Sequence, residues 1–183
     1  MSRNNPDRRI AKTYVSLGAA LFELMQRQSW NAITIQQICD TANVARASFY
    51  SHFETKIALL DFIIAEQLRF QEFGAGQVPA SRHYVSFLAW LIDHLTSNRP
   101  LFSRIAAEPE AQPVLARFKA ALAQKFAVAL KRDGIIASEP TLAFVLGGTF
   151  DALIAWSRHW KVKQLPQLRA DILTMAARVL EAG

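Results

Sequence analysis

Apolar residues return along nearly the whole chain at steps of three and four. In the first stretch they fall at Ile10, Tyr14, Leu17, Leu21 and Leu24, which draws one stripe on a helix, with Asp7 placed to cap it. After a short loop around Ser29 to Ile33, Thr34 opens a short helix whose inner face is Ile35, Ile38, Cys39 and Ala42. Ala42-Asn43-Val44 reads as a tight turn, because Asn tolerates the left-handed conformation such a turn needs. A second short helix runs from about Ala45 to His52, anchored inward by Val44, Phe49 and Phe53. Glu54 or Thr55 caps a further helix through Leu59, Leu60, Ile63 and Ile64 to about Phe73.

Gly74 to Pro79 is the clearest break in the pattern. Beyond it, helices are expected from Ser81 to Thr96, from Pro100 to Ala107 and from Pro113 to Arg132. Asn98-Arg-Pro100 and Glu108-Pro109 separate them, and Asp133-Gly134 ends the last, Gly suiting a C-cap. Two more helices follow, about Glu139 to Lys163 and Pro166 to Leu180, the first capped by Ser138 with Pro140 in its first turn. No β alternation, internal repeat or low-complexity tract interrupts this. The expectation is an all-α fold of about nine helices.

Composition narrows the class. The 183 residues are 51% apolar and 20% charged, which suits a globular chain with a sizeable core. A formal net charge of +6 suits an acidic partner such as nucleic acid or an anionic membrane surface. Cys39 is the single cysteine, so no intrachain disulfide can form. The polar, basic N-terminus has no signal-peptide pattern. The longest apolar run, Leu142 to Trp156, is interrupted by Asp151 and is shorter than the roughly 20 residues that span a bilayer. A cytoplasmic protein without a membrane partner is expected.

The segment Thr34 to Lys56 carries the candidate chemistry. Two short helices held at a large angle let the second enter the major groove of DNA. Ile35, Ile38, Ala42, Val44, Phe49 and Phe53 converge on one small core, which leaves Arg46, Ala47 and Tyr50 facing outward together. Arg46 can reach guanine O6 and N7 or a phosphate, and Ala47 is small enough for close approach or a thymine methyl. Ser48, Tyr50 and His52 can bond phosphates. Thr34 and Lys56 sit at helix N-termini, where free N–H groups already favour an anion. Arg3, Arg8, Arg9 and Lys12 form a candidate basic arm. On spacing alone, a plain helical hairpin in a bundle remains open.

These residues resemble the tetracycline-repressor (TetR) family of regulators. The resemblance rests on Thr34, Ile38, Ala42-Asn43-Val44, Ser48-Phe49-Tyr50, His52-Phe53 and Lys56-Ile-Ala-Leu-Leu60, with Ala20-Leu21-Phe22 and Ala32-Ile-Thr34 upstream. It covers about a third of the chain. The family pattern usually has Gly at Asn43, often Ser or Thr at Ala45, and a basic or small residue at Glu54. The resemblance implies phosphate and base contacts from Thr34, Ala45, Arg46, Ala47, Ser48, Tyr50, His52 and Lys56. It implies a three-helix helix-turn-helix domain over 1–56 and a larger helical effector-binding and dimerisation domain over 57–183. The partners implied are a double-stranded DNA operator, a small-molecule effector and a second copy of the chain. The function implied is a ligand-responsive regulator, a repressor released from a palindromic operator, with no cofactor and no enzyme activity. The alternative is a helical carrier or enzyme that binds no DNA.

Other constellations are weighed beside it. The run Leu142 to Trp156 is apolar nearly all round and carries Gly147-Gly148. With Ile172, Leu173, Met175, Ala176 and Val179 it can form a four-helix dimer interface, or else a central helix of a monomer. Trp90, His94 and Phe102 are candidate pocket residues among many core aromatics. Asp151 reads either as a ligand contact or as a buried, paired carboxylate. The histidines lack the spacing of a helical zinc site, and Cys39 reads as core. Neither a nucleophile elbow nor a phosphate loop is present.

Overall fold

The computed structural model describes residues 6–69, 82–158 and 164–181, and the described residues contain helices and turns but no strand. In chain order the helices are α1 (Pro6–Arg27), α2 (Ile35–Ala42), α3 (Arg46–Tyr50), α4 (Lys56–Arg69) and α5 (His83–Ser97). They continue with α6 (Arg99–Ala107), a 3-10 turn at Pro109–Ala111, α7 (Gln112–Arg132), α8 (Glu139–Arg158) and α9 (Leu165–Glu181). The expected break at Gly74–Pro79, the helix ends at Phe73 and Lys163, and Arg3 lie outside the described residues, as do the side chains of Arg8 and Arg9.

Local chemistry sets the boundaries. α1 already includes Pro6 and Asp7, so Asp7 belongs to the helix and does not cap it. α2 starts in a capping box: the Gln37 N–H donates to Thr34 Oγ1 at 3.2 Å and the Thr34 N–H to Gln37 Oε1 at 2.8 Å. It ends at Asn43, which adopts the left-handed conformation (φ 52°, ψ 48°), while the Val44 N–H returns to the Cys39 carbonyl at 2.9 Å. Of the two caps expected for α4, Thr55 takes the role, accepting the Ala58 N–H at 3.1 Å. Gly134 (φ 74°) follows α7, and Ser138 Oγ accepts the Thr141 N–H at the start of α8.

α1 lies against α2, α4 and α6, while α7 runs through the body in contact with α4, α5, α6 and α8. One apolar cluster extends from Leu17 and Leu21 through Phe49 and Leu59 to Phe87, Phe126 and Phe150. Each such side chain, fully buried, contributes about 1.5–3 kcal/mol of transfer free energy. Polar links join α1 and α4 to the body: Arg104 of α6 donates to the Met25 carbonyl, and Arg117 of α7 pairs with Asp61.

By length and hydropathy Glu139–Ser157 is long and apolar enough to cross a membrane, and only 33% of it is buried. Its inner face, including Val145, Leu146, Phe150 and Leu153, is part of the helical core. The outer face includes Phe144, 68% exposed, beside Met175 of α9, 55% exposed. A shallow apolar groove of about 210 Å³ runs between α8 and α9 there.

The N-terminus of α5 is capped from another helix. Asp133, whose side chain is 5% exposed, accepts the His83 N–H at 2.8 Å and the Tyr84 N–H at 2.9 Å, and lies 2.7 Å from the His83 ring. Burial alone would raise its pKa, but the bonds from Tyr84 and His83 outweigh burial and hold the carboxyl below its ordinary value. A depressed folded pKa gives stability that is present above the unfolded value and is lost as pH falls through the folded one. Asp133→Ala is therefore expected to lower unfolding free energy by about 1–2 kcal/mol at neutral pH. In urea melts the gap from the parent should close as the pH drops below the carboxylate range; a gap that stays constant with acid contradicts this account.

Candidate nucleic-acid interface

α3 stands on an aromatic base. Phe49 is fully buried, its ring 5.8 Å from Phe53, and Phe53 packs on Tyr14 of α1 at 5.3 Å and Phe62 of α4 at 5.6 Å. One face of the helix is thereby held. The opposite face leaves Ala45, Arg46, Ala47 and Tyr50 exposed, with Ser48 half-buried. Arg46 leans along the helix onto Tyr50, its guanidinium nitrogen 3.4 Å from the hydroxyl and its Cζ 5.8 Å from the ring centroid. A pair so exposed to solvent is weak, so both groups can exchange it for base edges or phosphates.

The remaining candidate residues differ in their surroundings. Ala45 occupies the N-cap of α3 with extended backbone and gives no side-chain cap, so the first-turn N–H groups rely on outside acceptors. Thr34 is exposed, its hydroxyl engaged in the capping box. His52 is half-buried against Tyr14, ring centroids 5.0 Å apart and edge-on, with Nδ1 3.4 Å from the tyrosine oxygen. Lys12 is exposed on α1.

Lys56 is placed otherwise than its position at a helix start implied. Its ammonium turns inward, donating to the Trp30 and Ile33 carbonyls at 2.7 Å each, 4.6 Å from the centre of the Trp30 ring. The α1–α2 loop presents two carbonyls that need a donor, and Lys56 answers them. Burial lowers its pKa from the ordinary lysine value. The spacing of sequence motifs carried no signal for this clamp, since it depends on how the loop folds over α4.

The pocket candidates divide. His94 and Phe102 border a cavity of about 1120 Å³ whose walls come from α1, α4, α6, α7 and the end of α5. Trp90 stands behind it, stacked on His94 at 5.0 Å. Asp151 is neither in the cavity nor buried: it is exposed on α8, 3.1 Å from the Lys119 ammonium, because the inward stripe of α8 passes through Phe150 and leaves Asp151 beside it. The contribution of α1 and α4 to the cavity was missed in the sequence, where Tyr14, Leu21, Leu60 and Ile63 read simply as core stripes. Burial pushes the Cys39 thiol up, which suits a packing role.

Residues 18–62 match the profile of a family described as bacterial regulatory proteins, tetR family. No curated protein matches the chain. Among solved structures, a TetR transcriptional regulator of Streptococcus agalactiae is similar over 93% of this chain and 96% of that one, with 25% identity and a TM-score of 0.65. A TetR transcriptional regulator of Rhodococcus sp. covers 95% and 98%, with 16% identity and a TM-score of 0.60. Thermus thermophilus FadR, a TetR-family repressor in complex with lauroyl-CoA, covers 92% and 93%, with 15% identity and a TM-score of 0.50.

Two substitutions probe the local geometry. Ala45→Ser supplies the absent N-cap and is expected to raise stability by about 0.5–1 kcal/mol. A thermal melt at or below the parent's would show that α3 is not limited by its cap. Lys56→Met is expected to lower stability by about 1.5–3 kcal/mol, the range for hydrogen bonds to a charged group. A variant as stable as the parent would mean that the inward clamp is unimportant.

Proposed function

We propose that this chain, which matches the tetR family of bacterial regulatory proteins over residues 18–62 and is similar to solved TetR regulators along most of its length, is a ligand-responsive regulator that binds a palindromic operator as a homodimer. Residues 1–56 form the reading unit and 57–183 the effector and dimerisation unit. The observation that carries the reading is α3 itself: a short helix fixed on Phe49 and Phe53, with Arg46, Ala47 and Tyr50 turned to solvent. Arg46 and Tyr50 read or grip the duplex, Ala47 permits close approach, and Ala45, Ser48 and Thr34 meet phosphates. His52 contributes mainly by steadying α3 against α1, and Lys56 by holding the loop before α2.

The outer apolar face of α8 and α9, where Phe144 and Met175 lie exposed beside Gly148, supports the dimer. Pairing of these helices between two copies makes a four-helix interface. It sets two α3 helices about one duplex turn apart, roughly 34–36 Å.

The effector site is the cavity between the reading unit and the body. Tyr14 lines it and touches His52, Phe53 and Phe62, with ring centroids 4.7 Å apart at Phe62. A ligand that fills the cavity bears on α1 and α4, and through Tyr14 on the residues just after α3. If it favours a spacing of the two α3 helices that the operator does not, it lowers DNA affinity in proportion to its differential binding. Repression relieved by the ligand is the regulatory sense we assign.

Selection of bound duplexes from a random pool at physiological salt tests the reading. Enrichment of an inverted repeat is expected, with affinity falling steeply as salt rises. On that operator Arg46→Ala or Tyr50→Ala should weaken binding by about 1–3 kcal/mol with the melting temperature unchanged. Unchanged affinity in both variants would place the reading face elsewhere, and no enrichment by folded, ligand-stripped protein would favour a carrier that binds no DNA.

A further inference from the structure

We propose that the cavity takes an elongated, uncharged molecule, apolar along most of its length and carrying one hydroxyl or carbonyl group that meets His94; the proposal rests on the effector reading above and names the ligand class.

The shape comes first. The cavity reaches from His94, Phe102 and Phe118 at its inner end to an open side between α1 and α4, where Val15 is 72% exposed. Its volume of about 1120 Å³ is slightly above the roughly 300–1,000 Å³ of ordinary small-molecule pockets, and its walls come from five helices. A long molecule uses this space better than a compact one.

The walls come second. Leu21, Met25, Leu60, Leu101, Phe102 and Phe118 are buried and apolar. Among the described residues, the charged ones that border the cavity, Glu66 and Arg69, lie on α4 and pair with each other at 2.8 Å. A charged ligand group placed inside would lose its hydration and meet no opposite charge. At the mouth it would meet a pair that already neutralises itself.

His94 comes third. Its ring lies against aromatic neighbours, Trp90 at 5.0 Å, Phe102 at 5.6 Å and Phe118 at 5.9 Å. Burial lowers its pKa, so at neutral pH the imidazole is uncharged and offers one donor and one acceptor. Asn98, the neighbouring polar side chain, donates its amide to the His94 carbonyl at 2.9 Å. The His94 ring thus presents a donor and an acceptor at the inner end, beside the Asn98 amide oxygen, and a neutral hydroxyl or carbonyl is its complement.

The test uses the full-length protein and a neutral fluorescent probe, phenylnaphthylamine, displaced by dodecanol, dodecanoate or dodecylammonium. Dodecanol is expected to displace the probe at a concentration about tenfold or more below either charged analogue, because burial of an unpaired charge opposes them. His94→Leu should abolish that preference, and His94→Gln, which keeps a donor and an acceptor, should retain most of it. Equal displacement by a charged analogue, failure of the probe to bind, or dodecanol affinity unchanged in His94→Leu would each overturn the proposal. Operator release recorded in the same samples reports on the other reading: tight, selective dodecanol binding without release overturns the effector role and leaves the ligand class standing.

Discussion

α1 is packed from several sides at once, and the arrangement of the protein depends on it. Its stripe through Leu17 and Leu21 is fully buried, and it contacts α2 on one side and α4 and α6 on the other. The approach to α4 is close at Gly18, where an added Cβ would come within 3.3 Å of Ile63 Cγ1. A glycine in the middle of a helix costs about 0.5–1 kcal/mol relative to alanine, and here the small residue lets two helix backbones draw together. The segment from α1 to α3, the proposed reading unit, is therefore not an independent bead on a tether. Its first helix is also a wall of the body's cavity.

Much of this was legible along the chain, and the legible part has a common cause. Helix periodicity, caps and turns are set by residues three to five apart. Thr34, Asn43, Ser138 and Gly134 each end or begin an element where their local chemistry says they should. The outward face of α3 follows from Phe49 and Phe53 by the same short-range logic. What was hidden depends on residues far apart in sequence. Lys56 answers carbonyls more than twenty residues upstream, its bonds to Trp30 and Ile33 spanning separations of 26 and 23. Asp133 caps a helix fifty residues earlier. Asp151 looked buried because its neighbours in sequence are apolar, yet a helix turns 100° per residue and α8 presents it to Lys119 and solvent.

Beside the apolar cluster that they share, polar links tie α1 and α4 to the body. Arg104 holds the Met25 carbonyl near the end of α1, Glu108 accepts the Trp30 N–H at 3.4 Å, and Arg117 pairs with Asp61. Polar contacts of this kind are directional and partly solvated, whereas the apolar contacts around Leu21 and Leu60 tolerate sliding. The cavity lies between these two sorts of contact. A molecule that fills it replaces empty space by dispersion contacts without breaking the hydrogen bonds at its margins. Under the proposed effector role, the response expected is rotation of α1 and α4 about their polar links, with the body intact.

The size of the regulatory effect is limited by the same geometry. A ligand shifts an equilibrium only by the difference in its affinity for the two states, and a hundredfold loss of DNA affinity needs about 2.7 kcal/mol of that difference. If α1 and α4 are the helices that move, contacts made only to α5, α6 and α7 are common to both states and contribute nothing to it. The contacts that discriminate are those to α1 and α4, where Tyr14, Gly18 and Ile63 line the cavity. A short ligand seated at His94 alone can bind tightly and regulate weakly. A longer one that also reaches Tyr14 meets a side chain whose other edge rests on His52 and Phe53, directly behind the reading helix. Under the proposed function, length more than affinity is then the property that turns a bound molecule into a signal.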